Sequence, residues 1–278
     1  MTASTAEARL AAYTFTKPEG LLAHYTTAAA AFEHILPMHR LRLSPYRLMR
    51  DPIENKDILP SISWYGSPRD TDRAIQAVYT ELRAARDRMR VLSFTRDAER
   101  HAEYSGFDCC WSRPRMWEQY GDLHRGVCLL FDRPKLERAV DDAWPRERTY
   151  MRNVDYTREG IAAAGGPIRT LIDQRIFEDA ERPQAVAEYI GARHDAFFFL
   201  KSDDFATEYE YRVVLAGGED DACIDYDHAL VGVVLGERFP TWQRPAAIAI
   251  GSDLSFKLGR IHWEHGRPHI LRVAASQA

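Results

Sequence analysis

The stretch Lys201–Leu215, KSDDFATEYEYRVVL, constrains the fold of this chain more than any other. Its second half alternates. Residues two apart in a β-strand share a face, so Glu208, Glu210 and Arg212 are expected on one face and Tyr209, Tyr211 and Val213 on the other. Two carboxylates and a guanidinium are costly to bury without partners. The run then turns wholly apolar at Val213, Val214 and Leu215, as a strand does on entering a core. Taken alone, the stretch reads as an exposed strand face with a Glu–Arg pair across it.

The remaining pattern is of short strands separated by helices. LLAHYT (21–26) reads as a strand and TTAAAAFEHIL (26–36) as a helix, with Thr26 or Thr27 as N-cap and Pro37 as its stop. LRLS (41–44) is a second strand, and a long irregular connection from Pro45 to about Arg69 follows. Such loops in compact domains are usually lids or binding loops. A charged amphipathic helix is expected over 70–90, a strand at VLSFT (91–95), a short helix at RMWEQYG (115–121) and a strongly apolar strand at RGVCLLFD (125–132). A helix then opens at Pro134. Strands are expected at 148–156, 221–226, 230–236 and 268–274, and two helices over 157–200, separated near Pro183. With no repeat or linker-like shift, residues 1–278 read as a single α+β domain. It would hold a split, mainly antiparallel sheet, with a helical insertion at about 157–200.

The 278 residues carry a net charge of −4 and no basic footprint, which disfavours tight nucleic-acid binding. No apolar run approaches the roughly 18–20 residues that span a bilayer. The N-terminus lacks a signal pattern, so the chain reads as cytoplasmic with no membrane partner. Its four cysteines lack zinc spacing. His262, His265 and His269 are interrupted by Gly266 and Pro268, and no metal site is expected there. Nucleophile-elbow, Walker A, dinucleotide-fingerprint and HExxH patterns are absent.

Polar clusters recur at three strand ends: His24-Tyr25-Thr26, Ser93-Phe94-Thr95 and Glu208-Tyr209-Glu210. Trp117 and Tyr120 lie between the last two. Singly, each is ordinary structural chemistry; a capping His, strand hydroxyls and an i, i+3 aromatic pair are common in cores. Jointly, polar groups at several strand ends flanked by long loops describe a cleft.

In order, HYTT, LRLSP, Asp51-Pro52-Ile53-Glu54, LSFT, MWEQYGDLHRGVCLLFD and the K…F-x-x-E-x-E-Y-R pattern resemble a widespread bacterial domain-of-unknown-function family over roughly residues 21–236. Phe205 stands where that family often has Trp. More distantly, the pattern is similar to the ADP-ribosyltransferase fold. That resemblance implies NAD as substrate, with His24 on the adenosine ribose and Ser93-Phe94-Thr95 shaping the nicotinamide pocket. Phe94 departs there from the superfamily's Ser-Thr-Ser form. Glu210 would be the catalytic carboxylate and Glu208 an orienting or acceptor-side group. Tyr25, Phe94 and Tyr120 are suited to stacking on the rings, with Thr26 and Trp117 beside them, and Arg212 to a carboxylate or the pyrophosphate.

The function so implied is an NAD-dependent ADP-ribosyltransferase, of a kind found among toxins and phage-defence effectors, with no metal required. Its acceptor would be a protein, a nucleic acid or a small molecule. The alternatives are an NAD glycohydrolase, a non-catalytic nucleotide- or partner-binding module and, third, a metal-dependent nuclease using Asp203, Asp204, Glu208 and Glu210. Exposed edge strands would leave room for a homodimer.

Overall fold

The computed structural model describes residues 15, 20–49, 51, 60–62, 71–98, 107–158, 170–171 and 173–273. Nine of its strands form one sheet: β1 (Leu21–Thr26), β2 (Ser44–Pro45), β3 (Arg90–Arg96), β4 (Val127–Asp132), β5 (Thr149–Asn153), β6 (Glu210–Leu215), β7 (Leu230–Leu235), β8 (Lys257–Glu264) and β9 (Arg267–Arg272). Their spatial order is β9-β8-β7-β4-β1-β3-β6-β5, with β2 on an edge of β3. Every pairing is antiparallel except β7 with β8. The fold is therefore α+β, an open and mostly antiparallel sheet flanked by helices.

The centre of the sheet is its most apolar part. From Val127 to Phe131 β4 is fully buried, as a strand covered on both faces must be. On one face the Arg133–Ala143 helix packs through Leu136 and Val140, four residues apart. Asp132 caps that helix by accepting from the Lys135 amide, and Pro134 sits in its first turn. On the other face the Thr71–Asp87 helix lays down Val78, Leu82 and Ala85 against Val91 and Val214. The Arg182–Gly191 helix joins it there through Val186 and Ile190. Cys109–Trp111 and the Pro114–Gln119 helix cover that same side of β1 and β4.

One irregularity in the sheet decides where a site can form. β6 lines one edge of β3 without a break, from Arg90 to Thr95. The other edge is shared. β2 pairs with Arg90 and Val91, and β1 pairs with Thr95 and Arg96. Among the described residues, no strand pairs with Leu92, Ser93 or Phe94 on that edge. β1 itself stays registered on β4 along its whole length, so the sheet is split between β1 and β3.

Several boundaries differ from the sequence reading. Pro37 does not stop the first helix. A wide turn over Ala30–Ile35, in which the Leu36 amide donates five residues back to Ala31, leads into Leu36–Met38. The wide turn takes the proline without the usual clash with the preceding turn, and left-handed His39 ends the helix. Thr27 is the N-cap, accepting from the Ala30 amide. Pro183 opens the Arg182–Gly191 helix rather than separating two helices; the second is His194–Phe198. The inserted region also carries Asp155–Thr157 paired with Leu200–Ser202. The Arg244–Asp253 helix and β8 are not among the elements expected from the sequence. That helix buries only Ala247 and Gly251 and has no side-chain cap, so it leaves little periodicity. Most of the 45–69 loop, including Glu54, lies outside the described residues.

Candidate active site

A cavity of about 850 Å³ opens at the split. Its wall takes in Ala23, His24 and Tyr25 of β1 and every residue from Val91 to Thr95 of β3. Successive strand residues point to opposite faces. A wall made of consecutive residues is therefore reached through the strand edge, where among the described residues no strand pairs with Leu92, Ser93 or Phe94. Lys201, Phe205, Glu208, Glu210 and Tyr120 also line the cavity, and exposed Met38 and Leu48 stand among its lining residues.

His24 bridges the gap. Its Nδ1 lies 3.1 Å from the Ser93 carbonyl oxygen, part of the β3 edge that no strand covers. A carbonyl only accepts, so Nδ1 carries the proton and Nε2 keeps a lone pair. Burial lowers the His24 pKa more than this hydrogen bond raises it, which favours the neutral ring. The ring also meets Phe94 edge-on at 5.8 Å. Phe94 pairs with Tyr211 while Thr95 pairs with Glu210, so Phe94 and Glu210 come from opposite faces of the sheet.

Four charged residues, none more than 5% exposed, form a buried ion network: Lys201, Glu208 and Glu210 in the cavity wall and Arg212 behind it. Arg212 grips Glu210 with two nitrogens, Nε at 2.6 Å from Oε1 and Nη2 at 2.8 Å from Oε2. Its remaining nitrogen donates to the Phe198 carbonyl oxygen at 2.7 Å. Lys201 Nζ is 2.7 Å from Glu208 Oε2 and 3.3 Å from Glu210 Oε2, and 4.5 Å from the centre of the Phe205 ring. Burial alone would raise the Glu210 pKa. The charges of Arg212 and Lys201, with hydrogen bonds from Arg212 and the Ser93 side chain, outweigh it and hold the carboxyl at about 2. The Glu210 amide donates to the Tyr156 hydroxyl at 2.8 Å, and the Tyr120 hydroxyl reaches Glu208 at 3.5 Å.

The backbone that delivers these groups differs from the expected strand. Glu208 ends a 3₁₀ turn over Asp203–Glu208, Tyr209 is left-handed at φ 47°, and the strand begins only at Glu210. Arg113 stacks on the Tyr209 ring at 4.0 Å, with Arg96 at 5.5 Å.

His24, Tyr25, Ser93, Phe94, Thr95, Tyr120, Glu208 and Glu210 thus line one cavity. Thr26, Trp117 and Arg212 do not. Trp117 is fully buried behind the wall, where its indole donates to the Trp111 carbonyl and meets the Tyr25 ring at 5.1 Å. Tyr25 is fixed further by its hydroxyl, which donates to the Cys110 carbonyl at 2.6 Å. Arg212 lies behind Glu210, and Thr26 ends β1 beside Gly126. Lys201 and Asp51 belong to the lining without having been assigned a role from the sequence. Asp51 accepts from the Ser202 amide at 3.1 Å, which anchors the long loop next to Lys201. The signal for Lys201 was its place in the same motif as the two glutamates.

Asp203 pairs with Arg158. Among the described residues, no group of three or more His, Cys, Asp or Glu side chains is arranged to hold a metal ion, and no helix is long and apolar enough to cross a membrane. His262 and His269 face each other across the β8–β9 hairpin. No curated protein and no solved structure matches the chain. Residues 116–213, which run from the Trp117 helix through Lys201 to the paired glutamates and Arg212, match the model of a family described as a protein of unknown function (DUF2971).

Proposed function

We propose that the cavity cleaves the nicotinamide–ribose bond of NAD and passes the ADP-ribosyl group to an acceptor. The observation that carries this reading is the convergence of His24, Ser93–Thr95 and Glu210 on one cavity at a split in the sheet. Its volume lies within the range of ordinary small-molecule pockets. As the C1′–N bond breaks, its electron pair leaves with nicotinamide, which departs neutral and needs no strong acid. Positive charge builds on the ribose, as in glycoside cleavage. An ionised Glu210 suits the stabilisation of that charge and the holding of a ribose hydroxyl. The acceptor then bonds to C1′, and its proton passes to Glu208 or to solvent. Tyr25, Phe94 and Tyr120 supply ring faces for the nicotinamide or adenine.

Mass spectrometry of NAD incubated with the protein tests this. Free nicotinamide should accumulate, and Glu210→Gln should slow its release by about 100-fold or more with the fold intact by circular dichroism. Intact NAD after long incubation, with and without protein, nucleic-acid and small-molecule acceptors, would overturn it. Release without transfer makes the protein an NAD glycohydrolase. A second reading, a non-catalytic nucleotide-binding module, draws on the closed ion network, in which both Glu210 oxygens are already engaged. Calorimetry showing NAD or ADP-ribose binding without product would favour it.

A further inference from the structure

We propose that Lys201 is a positioning residue that allows Glu208 and Glu210 to be ionised side by side in the cavity wall. As a statement about catalysis this rests on the reading above; as a statement about the two carboxylates it does not. Strand alternation does not bring them together, because Glu208 lies in the 3₁₀ turn and Tyr209 breaks the register. Their shared contact is the Lys201 ammonium, buried and within 3.3 Å of an oxygen of each. Lys201 is itself held in place from three sides. Its strand pairs with Asp155–Thr157, the next amide is bound by Asp51, and its ammonium rests on the Phe205 ring.

The other titratable groups around the pair make the role of Lys201 specific. Arg212 approaches Glu210 from its own strand, with its third nitrogen committed to Phe198. Tyr156 offers its hydroxyl to the Glu210 amide, and Tyr120 reaches Glu208. Asp51 adds a buried carboxylate on the Ser202 side, and His24 stands across the split on Ser93. Without the Lys201 ammonium, two carboxylates in a water-poor site would titrate as a coupled pair. One of them would resist ionisation until the pH rose.

The test compares the pH profile of nicotinamide release for the wild type, Lys201→Met and Lys201→Arg. Lys201→Met should lose most activity at acidic pH and regain it as pH rises, its acidic limb displaced upward by about one to three units. Lys201→Arg should restore the profile. An unchanged profile, or a loss equal at every pH, would overturn the proposal. Carboxylate ¹³C NMR of glutamate-labelled protein reads the same groups without substrate, with Glu208→Gln and Glu210→Gln assigning the signals. One of the two carboxyls should titrate at least about one unit higher in Lys201→Met. If the wild type releases no nicotinamide but this shift is present, the NAD reading fails and the role of Lys201 stands. Unshifted carboxyl signals overturn that role whatever the turnover. Should Lys201→Met not fold, Lys201→Gln serves the same comparison.

Discussion

At the scale of single residues, the site is a balance of charge against burial. The Glu210 carboxyl is held at about 2 against a usual 4.5. A depressed carboxyl contributes stability that is fully present above its unfolded value and is lost as pH falls through its folded one. We therefore expect Glu210→Gln to flatten the acid limb of a stability–pH curve between about pH 4.5 and 2, measured by urea unfolding. A limb of unchanged slope would mean that another group sets it. His24 has the same sign for a different reason. Burial lowers its pKa from 6.5, so the unfolded chain gains a proton the folded one resists, and stability falls as pH drops below 6.5. His24→Leu should remove that dependence. It should also cost about 1–3 kcal/mol by leaving the Ser93 carbonyl without its partner. Unfolding free energies equal to wild type at pH 7 would show that the bridge across the split is idle.

At the scale of elements, close backbone approach fixes the ends of the strands that carry the site. A Cβ on Gly126 would lie 2.2 Å from the Thr26 carbonyl oxygen, and one on Gly236 would lie 2.1 Å from that of His124. Just before Gly126 the chain runs through Asp122, Leu123 and His124, all left-handed. Gly126→Ala should cost about 1–3 kcal/mol or more in denaturant unfolding and disturb the end of β1 beside His24; a cost near zero would mean that the loop relaxes freely. Elements of this kind were partly legible. The strands LLAHYT, VLSFT and VCLLFD stand out because continuous apolar runs bounded by turns read the same way in sequence and in space. The Glu208–Glu210 alternation was legible as a pattern and misleading as a geometry. A non-glycine left-handed residue such as Tyr209 leaves no periodic signature, and its stacking on Arg113 joins residues far apart in the chain. The interrupted helix through Pro37 was hidden for the same reason, since a widened turn has no period of its own.

At the scale of the molecule, the cavity exists because β1 follows β4 while β3 follows β6, and the two halves part at Ser93. The α+β class and the main run of strands could be read from sequence. A split sheet was expected as well, but the place where it parts was not legible, because a missing pairing beside Ser93 leaves no motif. Eight of the eleven residues singled out from sequence line the cavity, and the three that do not, Thr26, Trp117 and Arg212, lie at or behind its wall. Lys201 went unassigned because a lysine beside acidic residues looks like an ordinary surface pair until its burial is seen. The family match covers Trp117, Tyr120, Lys201, Glu208, Glu210 and Arg212, whereas His24 and Ser93–Thr95 come from the unmatched N-terminal part. The measurement that bears most directly on the proposed chemistry is therefore mass-spectrometric NAD turnover by wild type, His24→Ala and Glu210→Gln side by side. We expect nicotinamide release by the wild type and its loss in both variants, since the two residues reach one cavity from opposite sides of the split. Release undiminished in Glu210→Gln, or no release by the wild type with any acceptor, would contradict it.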